Sequence, residues 1–471
     1  MVNSDKVNFR HASISLAEVI TAGVRLDAAV YNLEAKHARE IIKGSGLPVR
    51  PLAGQNGLVN AFHRPRFKRP YVDKGGIPFF QPAQVLELQP LPARYLSSSY
   101  AHDYEALKVT KEQILLTCSG TVGQCTIVGE HFANAVFSHD LLRLDVLADV
   151  PYGYVYAFLR TRIGQLLLKT SNYGSVIQHI EPSHLASIGV PLAHTSIIEK
   201  IHGMIARSFA FRDEANAKIV EAWEQLKQES GLPDLNSITE RVNTSAFSVP
   251  LSGISGRLES KFHDPKISAI LGYMKEKKLH LAQIGDKQIA NELRLPGQFK
   301  RVYVQEGYGI PFFSGKDIGE LDPYDKKYLA YSQHNERIES LKVCQNMILV
   351  TCSGTVGNVA LVPRHWDGWA MTHDIIRLIP RSEKMAGYAY TWLSSEYGRA
   401  LVQRFSYGAV VQHIEEHHLA EVPIPILDQT IMDSIGDKVL QANELRARAY
   451  EEERDALNFF DDKVFGIISP V

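Results

Sequence analysis

The chain has 471 residues, which is enough for roughly two to four domains. Its 45% hydrophobic and 22% charged residues are ordinary for a globular protein, and its net charge of −1 excludes a strongly basic nucleic-acid-binding chain without excluding local basic patches. No apolar run reaches the ~20 residues of a membrane span, and the first residues lack the apolar core of a signal peptide, so we expect a cytoplasmic location.

One long pattern occurs twice along the chain. The segment TCSGTVG occupies Thr117–Gly123 and occurs again at Thr351–Gly357. A duplication of this kind indicates two copies of one folded domain. Four further segments recur around it in the same order: Phe67-Lys68-Arg69 with Phe299-Lys300-Arg301, GIPFF at Gly76–Phe80 with Gly309–Phe313, His139-Asp140 with His373-Asp374, and Gln178-His179-Ile180 with Gln412-His413-Ile414.

The first copy begins with strand-like segments and ends in a long helix. QILLTCSG and LLRLDVL have the apolar character of short strands, and Tyr154–Leu168 has the spacing of a helix. IGVPL closes this part, and a long helix is predicted from about Thr195 to Gln228, with Gly231 just after its end. The apolar residues of this helix recur at helical spacing: Ile197, Ile201, Ile205, Ile219, Trp223 and Leu226.

The second copy repeats these elements, with strands at MILVTCSG and IIRLIPR and a helix at Tyr388–Arg404. VPIPI precedes a second long helix, predicted from about Gln429 to Asp461. A helix of about 33 residues is about 50 Å long, and two apolar stripes in one chain are expected to pack against each other. The predicted fold class is α+β. The second stripe comprises Ile431, Ile435, Val439, Leu457 and Phe460.

The recurring glycine and histidine motifs favour structural roles over chemistry. TCSGTVG lacks the GxxxxGK[ST] pattern of a phosphate-binding loop, so we interpret it as a strand-to-strand turn that needs glycine. His139-Asp140 and His373-Asp374 resemble metal-binding pairs, but no further cluster accompanies them at metal-site spacing. We therefore favour packed, hydrogen-bonded pairs and predict no metal site. The four cysteines lack paired CxxC spacing, which argues against structural zinc.

A first set of candidate DNA-binding residues lies in the glycine-containing segments TSNYGSVIQHI and RFSYGAVVQHI. Hydroxyl, amide and imidazole groups donate and accept hydrogen bonds as base edges and phosphates require. A polar turn with a fixed structure is an equally good interpretation of the same segments. The set comprises Ser175, Gln178, His179, Gln412 and His413.

A second set lies in two basic runs, HRPRFKR and RLPGQFKR, which combine cations with a phenylalanine and contain no acid. A charge run usually marks a solvated loop, but its recurrence at the same place in both copies favours phosphate contact. The set comprises Arg64, Arg66, Lys68, Arg69, Arg294, Lys300 and Arg301.

Catalytic motifs are missing from the sequence. It has no GxGxxG after a strand, no [DNS]PP[YFW] loop of an amino-methyltransferase, no Walker motif and no convincing nuclease carboxylate cluster. We therefore predict that the chain is not an enzyme, and that it has no catalytic residues and binds no cofactor of its own.

In the order of its segments, the chain resembles the DNA-specificity (S) subunits of type I restriction-modification systems over nearly its whole length. No single motif is specific to that family, but the order of the motifs, which occurs twice in the chain, is specific to it. The resemblance is carried by RLDAAVYN near the start, GIPFFQPAQVLEL and GIPFFSGKDIGEL, ILLTCSGTVGQCTIV and ILVTCSGTVGNVALV, the helical segments that end in QHI, and IGVPL or VPIPI before each long helix.

The resemblance implies two target-recognition domains, at residues 1–194 and 233–427, each followed by a spacer helix, at 195–232 and 428–471. The helices would form an antiparallel coiled coil with pseudo-twofold symmetry, and each domain would read half of a bipartite, asymmetric DNA site. Loops that differ between the copies, such as DYEALKVTKE and ERIESLKVCQ, would read different bases.

The resemblance also implies partners. These are double-stranded DNA, two modification (methyltransferase) subunits that bind S-adenosylmethionine, and a restriction or motor subunit. A type IIB-like system, in which methylation and cleavage share the partner polypeptide, fits the same sequence. A tandem protein-interaction scaffold without a DNA role is the alternative, and the near-neutral net charge favours it slightly.

Overall fold

The computed structural model describes residues 13–21, 31–72, 75–92, 94–99, 104–147, 149–170, 179–240, 242, 246–254, 256–324 and 326–467. The start of RLDAAVYN at Arg25–Asp27, the Tyr173–Gly174 pair of TSNYGSVIQHI, and the candidate residues Ser175 and Gln178 lie outside these residues. The chain divides into two compact units. Unit 1 comprises Met1–Leu86, Leu91–Phe209 and Glu451–Val471, and unit 2 comprises Glu87–Pro90 and Ala210–Tyr450.

Within its described residues, unit 1 forms two four-stranded sheets and one two-stranded sheet. The strand orders are β2-β9-β6-β7, β3-β5-β4-β8 and β1-β10. All neighbouring strands are antiparallel except β4 and β8, which are parallel. The strands are β1 (Val49–Pro51), β2 (Val59–Phe62), β3 (Tyr71–Val72), β4 (Ile77–Phe80), β5 (Arg94–Leu96), β6 (Ile114–Thr117), β7 (Cys125–Ile127), β8 (Val136–Phe137), β9 (Leu141–Val146) and β10 (Gly189–Pro191).

Unit 2 repeats this topology strand for strand. Its sheets have the orders β12-β19-β16-β17, β13-β15-β14-β18 and β11-β20, and again only the pair β14–β18 is parallel among the described strands. The strands are β11 (Leu281–Gln283), β12 (Ala290–Arg294), β13 (Tyr303–Val304), β14 (Gly309–Phe313), β15 (Lys327–Ala330), β16 (Ile348–Thr351), β17 (Val359–Leu361), β18 (Ala370–Met371), β19 (Ile375–Pro380) and β20 (Pro423–Pro425).

Helices flank these sheets in both units, so the predicted α+β class is confirmed. None of the described helices is both long enough and apolar enough to cross a membrane. The helices are α1 (Leu16–Thr21), α2 (Leu33–Gly44), α3 (Tyr152–Arg160), α4 (Arg162–Thr170), α5 (Pro182–Leu185), α6 (Thr195–Ser230), α7 (Leu235–Thr239), α8 (Pro265–Glu276), α9 (Tyr331–Leu341), α10 (Glu383–Ser394), α11 (Glu396–Gln403), α12 (Glu416–Ala420) and α13 (Gln429–Phe460).

Two of the predicted helices are each split in two. Tyr154–Leu168 and Tyr388–Arg404 were each expected to be one helix, but the chain breaks at Thr161 and at Ser395 to give α3–α4 and α10–α11. Ser395 has an extended backbone, and its hydroxyl accepts a hydrogen bond from the amide of Gly398 at 3.1 Å. A side chain that caps a new helix in this way ends the preceding one, because its own backbone leaves the helical conformation.

The part of α6 in unit 1 packs antiparallel to the part of α13 in the same unit. The Lys200 ammonium lies 4.3 Å from the centre of the Phe459 ring, and the Arg207 guanidinium donates to Glu452 at 2.9 Å. As the residue numbers rise along α6, those of their partners fall along α13. Two helices with this register run in opposite directions.

The same relation holds within unit 2. There the Arg448 guanidinium lies 4.1 Å from the Phe211 ring centre, and the Gln225 amide lies 3.4 Å from the Ser434 hydroxyl. Within each unit, the two long helices therefore contact each other and run in opposite directions.

Both long helices also complete the cores of the units. The unit 1 core contains Ile201 and Ile205 of α6 together with Phe460 of α13. The unit 2 core contains Ile219 of α6 and Ile435 of α13, buried with the sheet residues of that unit. Residues of both apolar stripes are therefore buried in the same core as sheet residues in each unit.

A buried ion pair in unit 1 joins α3 to α13 and allows this packing to be tested by mutation. The Glu453 carboxylate accepts hydrogen bonds from the Tyr156 hydroxyl at 3.0 Å and the Arg160 guanidinium at 2.9 Å, and only 5% of its side chain is exposed. We expect Glu453→Ala to lower the free energy of unfolding by about 3 kcal/mol, because it leaves a buried guanidinium without its carboxylate.

Glu452 is the matched control. Its pair with Arg207 is more exposed, so Glu452→Ala should change the free energy of unfolding by less than about 1 kcal/mol. Urea denaturation of the two variants and the unchanged chain measures both effects. Equal losses in the two variants would contradict a stabilising role for the buried pair.

Candidate nucleic-acid interface

The first TCSGTVG segment forms the turn between β6 and β7, so the interpretation as a strand-to-strand turn is confirmed. The Thr117 hydroxyl donates to the Thr121 carbonyl at 2.5 Å and accepts from the Gln124 amide at 3.0 Å, which closes the turn. Gly120 and Gly123 have φ of 75° and 101°. Glycine is favoured there because other side chains rarely adopt a left-handed backbone.

The second TCSGTVG segment has the same geometry between β16 and β17. The Thr351 hydroxyl donates to the Thr355 carbonyl at 2.5 Å and accepts from the Asn358 amide at 2.9 Å. The shared motif therefore encodes a turn of fixed shape at the same place in each sheet.

The HD motif and the FKR motif meet beside this turn in unit 1. One terminal nitrogen of Arg69 lies 3.1 Å from the Ser138 hydroxyl, 2.8 Å from His139 Nδ1 and 3.4 Å from the Asp140 carboxylate. Burial lowers the pKa of His139, which favours the neutral imidazole whose Nδ1 can accept from the guanidinium. The Phe67 ring packs edge-on against the His139 ring.

Unit 2 builds the same cluster from the second copies. The Arg301 guanidinium lies 2.9 Å from the Thr372 hydroxyl, 3.5 Å from His373 Nδ1 and 3.8 Å from the Asp374 carboxylate. It also lies 5.3 Å from the centre of the Phe312 ring, within the range of a cation–π contact. The HD pairs are packed and hydrogen-bonded, as predicted. Among the described residues, no group of three or more potential ligands could hold a metal ion.

The described residues of the QHI segments are joined to the TCSGTVG turns by backbone contacts. In unit 1, the Ile180 amide donates to the Cys118 carbonyl at 3.0 Å, and His179 forms a backbone bridge with Ser119. Ser175 and Gln178 lie outside the described residues. His179 and Ile180 thus lie alongside the TCSGTVG turn, although about sixty residues separate them in the sequence.

In unit 2, the Ile414 amide donates to the Cys352 carbonyl at 2.9 Å, and the Gly354 amide donates to the Gln412 carbonyl at 3.0 Å. His413 forms a bridge with Ser353. Four recurring motifs therefore converge on one edge of each unit. We call this place the motif edge. It consists of Arg69, Cys118–Ser119, Ser138–Asp140 and His179–Ile180 in unit 1, and of Arg301, Cys352–Gly354, Thr372–Asp374 and Gln412–Ile414 in unit 2.

The other cations of the basic runs differ in their surroundings. Arg64 is half-buried, with its guanidinium 5.0 Å from the centre of the Phe62 ring. Arg66, Lys68 and Lys300 are exposed. The exposed Arg66 and Lys300 can approach a phosphate backbone, whereas Arg69 and Arg301 are already engaged by the protein. A DNA contact by any of these residues stays a prediction.

Arg294 makes a two-pronged contact with Glu292. Both of its hydrogen bonds to that carboxylate measure 2.9 Å, and they lower the pKa of Glu292. The carboxylate partly cancels the positive charge of this arginine toward solvent. Its predicted role in phosphate binding stays untested.

Sequence reasoning missed one recurring residue, a fully buried arginine in the strand after the HD motif. Arg143 and Arg377 are both 0% exposed. Arg143 donates to the Leu107 carbonyl at 3.1 Å, and Arg377 donates to the Leu341 carbonyl at 3.0 Å. Burial lowers the pKa of each to about 10. The signal was an arginine at the same place in two mostly apolar strands, LLRLDV and IIRLIP.

These arginines hold the segments in which the two copies differ. ERIESLKVCQ was predicted to be a loop, but its first residues belong to helix α9, which ends at Leu341. In the described residues of the matching part of unit 1, which begin at Tyr104, the chain forms a short 3-10 turn, Glu105–Leu107.

No protein-family model matches the chain, and no curated protein matches it. Solved structures are similar to it, and three of them illustrate the likeness. The type I restriction-modification S subunit of M. genitalium has 13% identity and a TM-score of 0.31, and the match covers 90% of this chain and 99% of that chain.

The second structure concerns complex assembly and conformational transition of the type I R-M system; it has 12% identity and a TM-score of 0.25, with 86% of this chain and 97% of that chain covered. The HsdS subunit of Thermoanaerobacter tengcongensis has 12% identity and a TM-score of 0.25, with 85% and 94% covered. At such low identity, the side-chain roles of these proteins do not transfer to this chain.

Adjacent cations of the second basic run give contrasting expectations. Lys300→Gln should leave the melting temperature unchanged and weaken DNA binding. An exposed ammonium that meets a phosphate contributes about 0.9 to the slope of the logarithm of the binding constant against the logarithm of the salt concentration.

Arg301→Gln should lower the melting temperature by about 2–4 °C, because it removes the contacts to Thr372 and His373. This is the shift expected for a loss of about 1 kcal/mol in the free energy of unfolding. Thermal melting and DNA titration at several salt concentrations separate the two; an unchanged salt slope for Lys300→Gln would contradict the phosphate contact.

Proposed function

We propose that this chain is the DNA-specificity subunit of a restriction-modification system, of type I or a type IIB-like relative. In this proposal it recognises a bipartite, asymmetric site in double-stranded DNA and positions separate methyltransferase subunits on it, in the cytoplasm. The proposal is supported by the order of the recurring sequence segments and by the motif edge that each unit assembles from them.

One observation supports the proposal above the others. Two units with the same strand topology present the same edge of four motifs, yet the segment anchored by the buried arginine differs, being a 3-10 turn in unit 1 and helix α9 in unit 2. A common scaffold that holds different segments suits the recognition of two different half-sites. A site with two different halves is asymmetric.

The chemistry in this proposal belongs to partners. Two modification subunits would bind S-adenosylmethionine and transfer its methyl group, and a restriction subunit would join them in a type I system. The chain itself would supply recognition through hydrogen bonds to base edges and phosphate contacts. The antiparallel helices α6 and α13 would serve as the spacer between the half-sites, as the resemblance implies.

Methylation mapping tests the proposal directly. The chain is co-expressed with a candidate methyltransferase subunit from the same genome, and methylated positions are mapped across the host genome. We expect a two-part motif that appears only when both proteins are present. Methylation that is independent of this chain, or that shows no two-part motif, would refute the proposal and leave the interaction scaffold as the better reading.

The salt dependence of binding tests the electrostatic part. Binding of the assembled complex to a duplex that contains its motif should weaken steeply with salt, with a log–log slope of about −0.9 for each phosphate neutralised. Titration of a labelled duplex at several salt concentrations measures this slope. A slope near zero would show that the exposed cations of the basic runs do not meet the DNA backbone.

A further inference from the structure

The loop between Tyr407 and His413 presents apolar side chains to solvent. We call Gly408–Gln412, with the sequence GAVVQ, the apolar loop. Val410 is 96% exposed and Val411 is 46% exposed, and Val410 is the most exposed of the large hydrophobic residues in the part of the chain that the structure describes. Single exposed apolar residues are common, so exposure alone does not indicate a binding site.

The backbone of this loop is held on both sides. The Tyr407 amide donates to the His413 carbonyl at 3.0 Å, and the His413 amide donates back to the Tyr407 carbonyl at 2.8 Å. Across the loop, the Gln412 side-chain amide donates to the Gly408 carbonyl, and its oxygen accepts from the Lys261 ammonium at 2.9 Å. The loop is therefore a closed hairpin whose shape does not depend on its two valines.

Gly408 shows how tight this hairpin is. Its φ is +100°, and a Cβ atom placed on it would lie 2.3 Å from the Val411 carbonyl oxygen. The chain thus uses a glycine to bring its backbone close and so directs two β-branched residues outward. Valine has few side-chain rotamers, so fixing it against a ligand costs little entropy.

The apolar loop is continuous with the motif edge of unit 2. The carbonyl of Gln412 accepts from Gly354 in the TCSGTVG turn, and the neighbouring Ile414 donates to Cys352. The Lys261 ammonium stands at the base of the loop. An apolar tip beside a cation and a row of polar groups fits a duplex, whose grooves offer apolar base surfaces between rows of phosphates.

The first copy carries the same arrangement in its sequence. Its segment is GSVIQ where the second copy has GAVVQ, so an aliphatic pair stands at the same place in both. These residues of the first copy lie outside the described part of the chain. The recurrence concerns sequence alone.

We propose that Val410 and Val411 contact an apolar surface of a base in the half-site read by unit 2. The inference rests on the proposed function and assigns the residues that would sense this surface. Two parts of a duplex offer such an apolar surface. One is the C5 methyl group of thymine in the major groove, and the other is the face of a base that is exposed when a side chain wedges into a base step.

The test uses the full complex with its methyltransferase and a duplex carrying the mapped motif. Val410→Ala and Val411→Ala are compared with Val49→Ala, a control valine in β1 of unit 1 that is also 46% exposed. Each loop variant removes about two methylene equivalents of apolar contact, so we expect roughly tenfold weaker binding. Discrimination should fall only in one half of the motif, and Val49→Ala should bind like the unchanged chain.

Chemically modified duplexes distinguish contact with a thymine methyl group from insertion into a base step. If the contact is with a thymine methyl group, replacing that thymine by deoxyuridine weakens binding of the unchanged chain and leaves Val410→Ala unaffected. If the side chain wedges into a base step, 2-aminopurine at that step fluoresces more strongly with the unchanged chain than with Val410→Ala. Either result supports an apolar base contact.

Three outcomes would overturn the inference, and each has a different consequence for the proposed function or for the partner of the loop. Loop variants that bind and methylate like the unchanged chain remove the base contact while the proposed function stands. Loop variants that melt normally but no longer assemble with the methyltransferase show that the loop meets protein instead. An unchanged chain that directs no two-part motif refutes the proposed function, and the inference with it.

Discussion

The antiparallel packing of the two long helices is the constraint on which both units depend. Each helix begins in one unit and ends in the other, and each unit buries residues of both helices in its core. Ile205 of α6 and Phe460 of α13 belong to one core, and Ile219 and Ile435 belong to the other. The sheets of either copy therefore bury their apolar faces fully only when both helices are in place.

The motif edge shows how a duplicated scaffold positions polar side chains. Arg69 and Arg301 each tie a hydroxyl, a histidine and an aspartate into one cluster, so the motif that looked most like a phosphate contact in the sequence contains an inward-facing arginine. The adjacent lysines remain exposed. Within this short motif it is the arginine that builds the edge, because its forked guanidinium reaches several acceptors at once.

The buried Arg143 and Arg377 link this constant edge to the segments that vary. Each donates to the carbonyl of a leucine at the end of a segment that differs between the copies. A buried guanidinium needs such acceptors, since leaving it unsatisfied is costly. Different segments can therefore be exchanged while their attachment point stays the same, which suits a protein whose two halves recognise different ligands.

The sequence by itself determined the duplication, the α+β class, the strands around TCSGTVG and the positions of the two long helices, because these depend on local periodicity and on comparison of the copies. Only the tertiary structure decided that the helices are shared between the cores, that Tyr388–Arg404 is split at Ser395, and that FKR, HD and QHI meet at one edge. These features arise from contacts between residues far apart in the chain, and one sequence contains no local signal for such contacts.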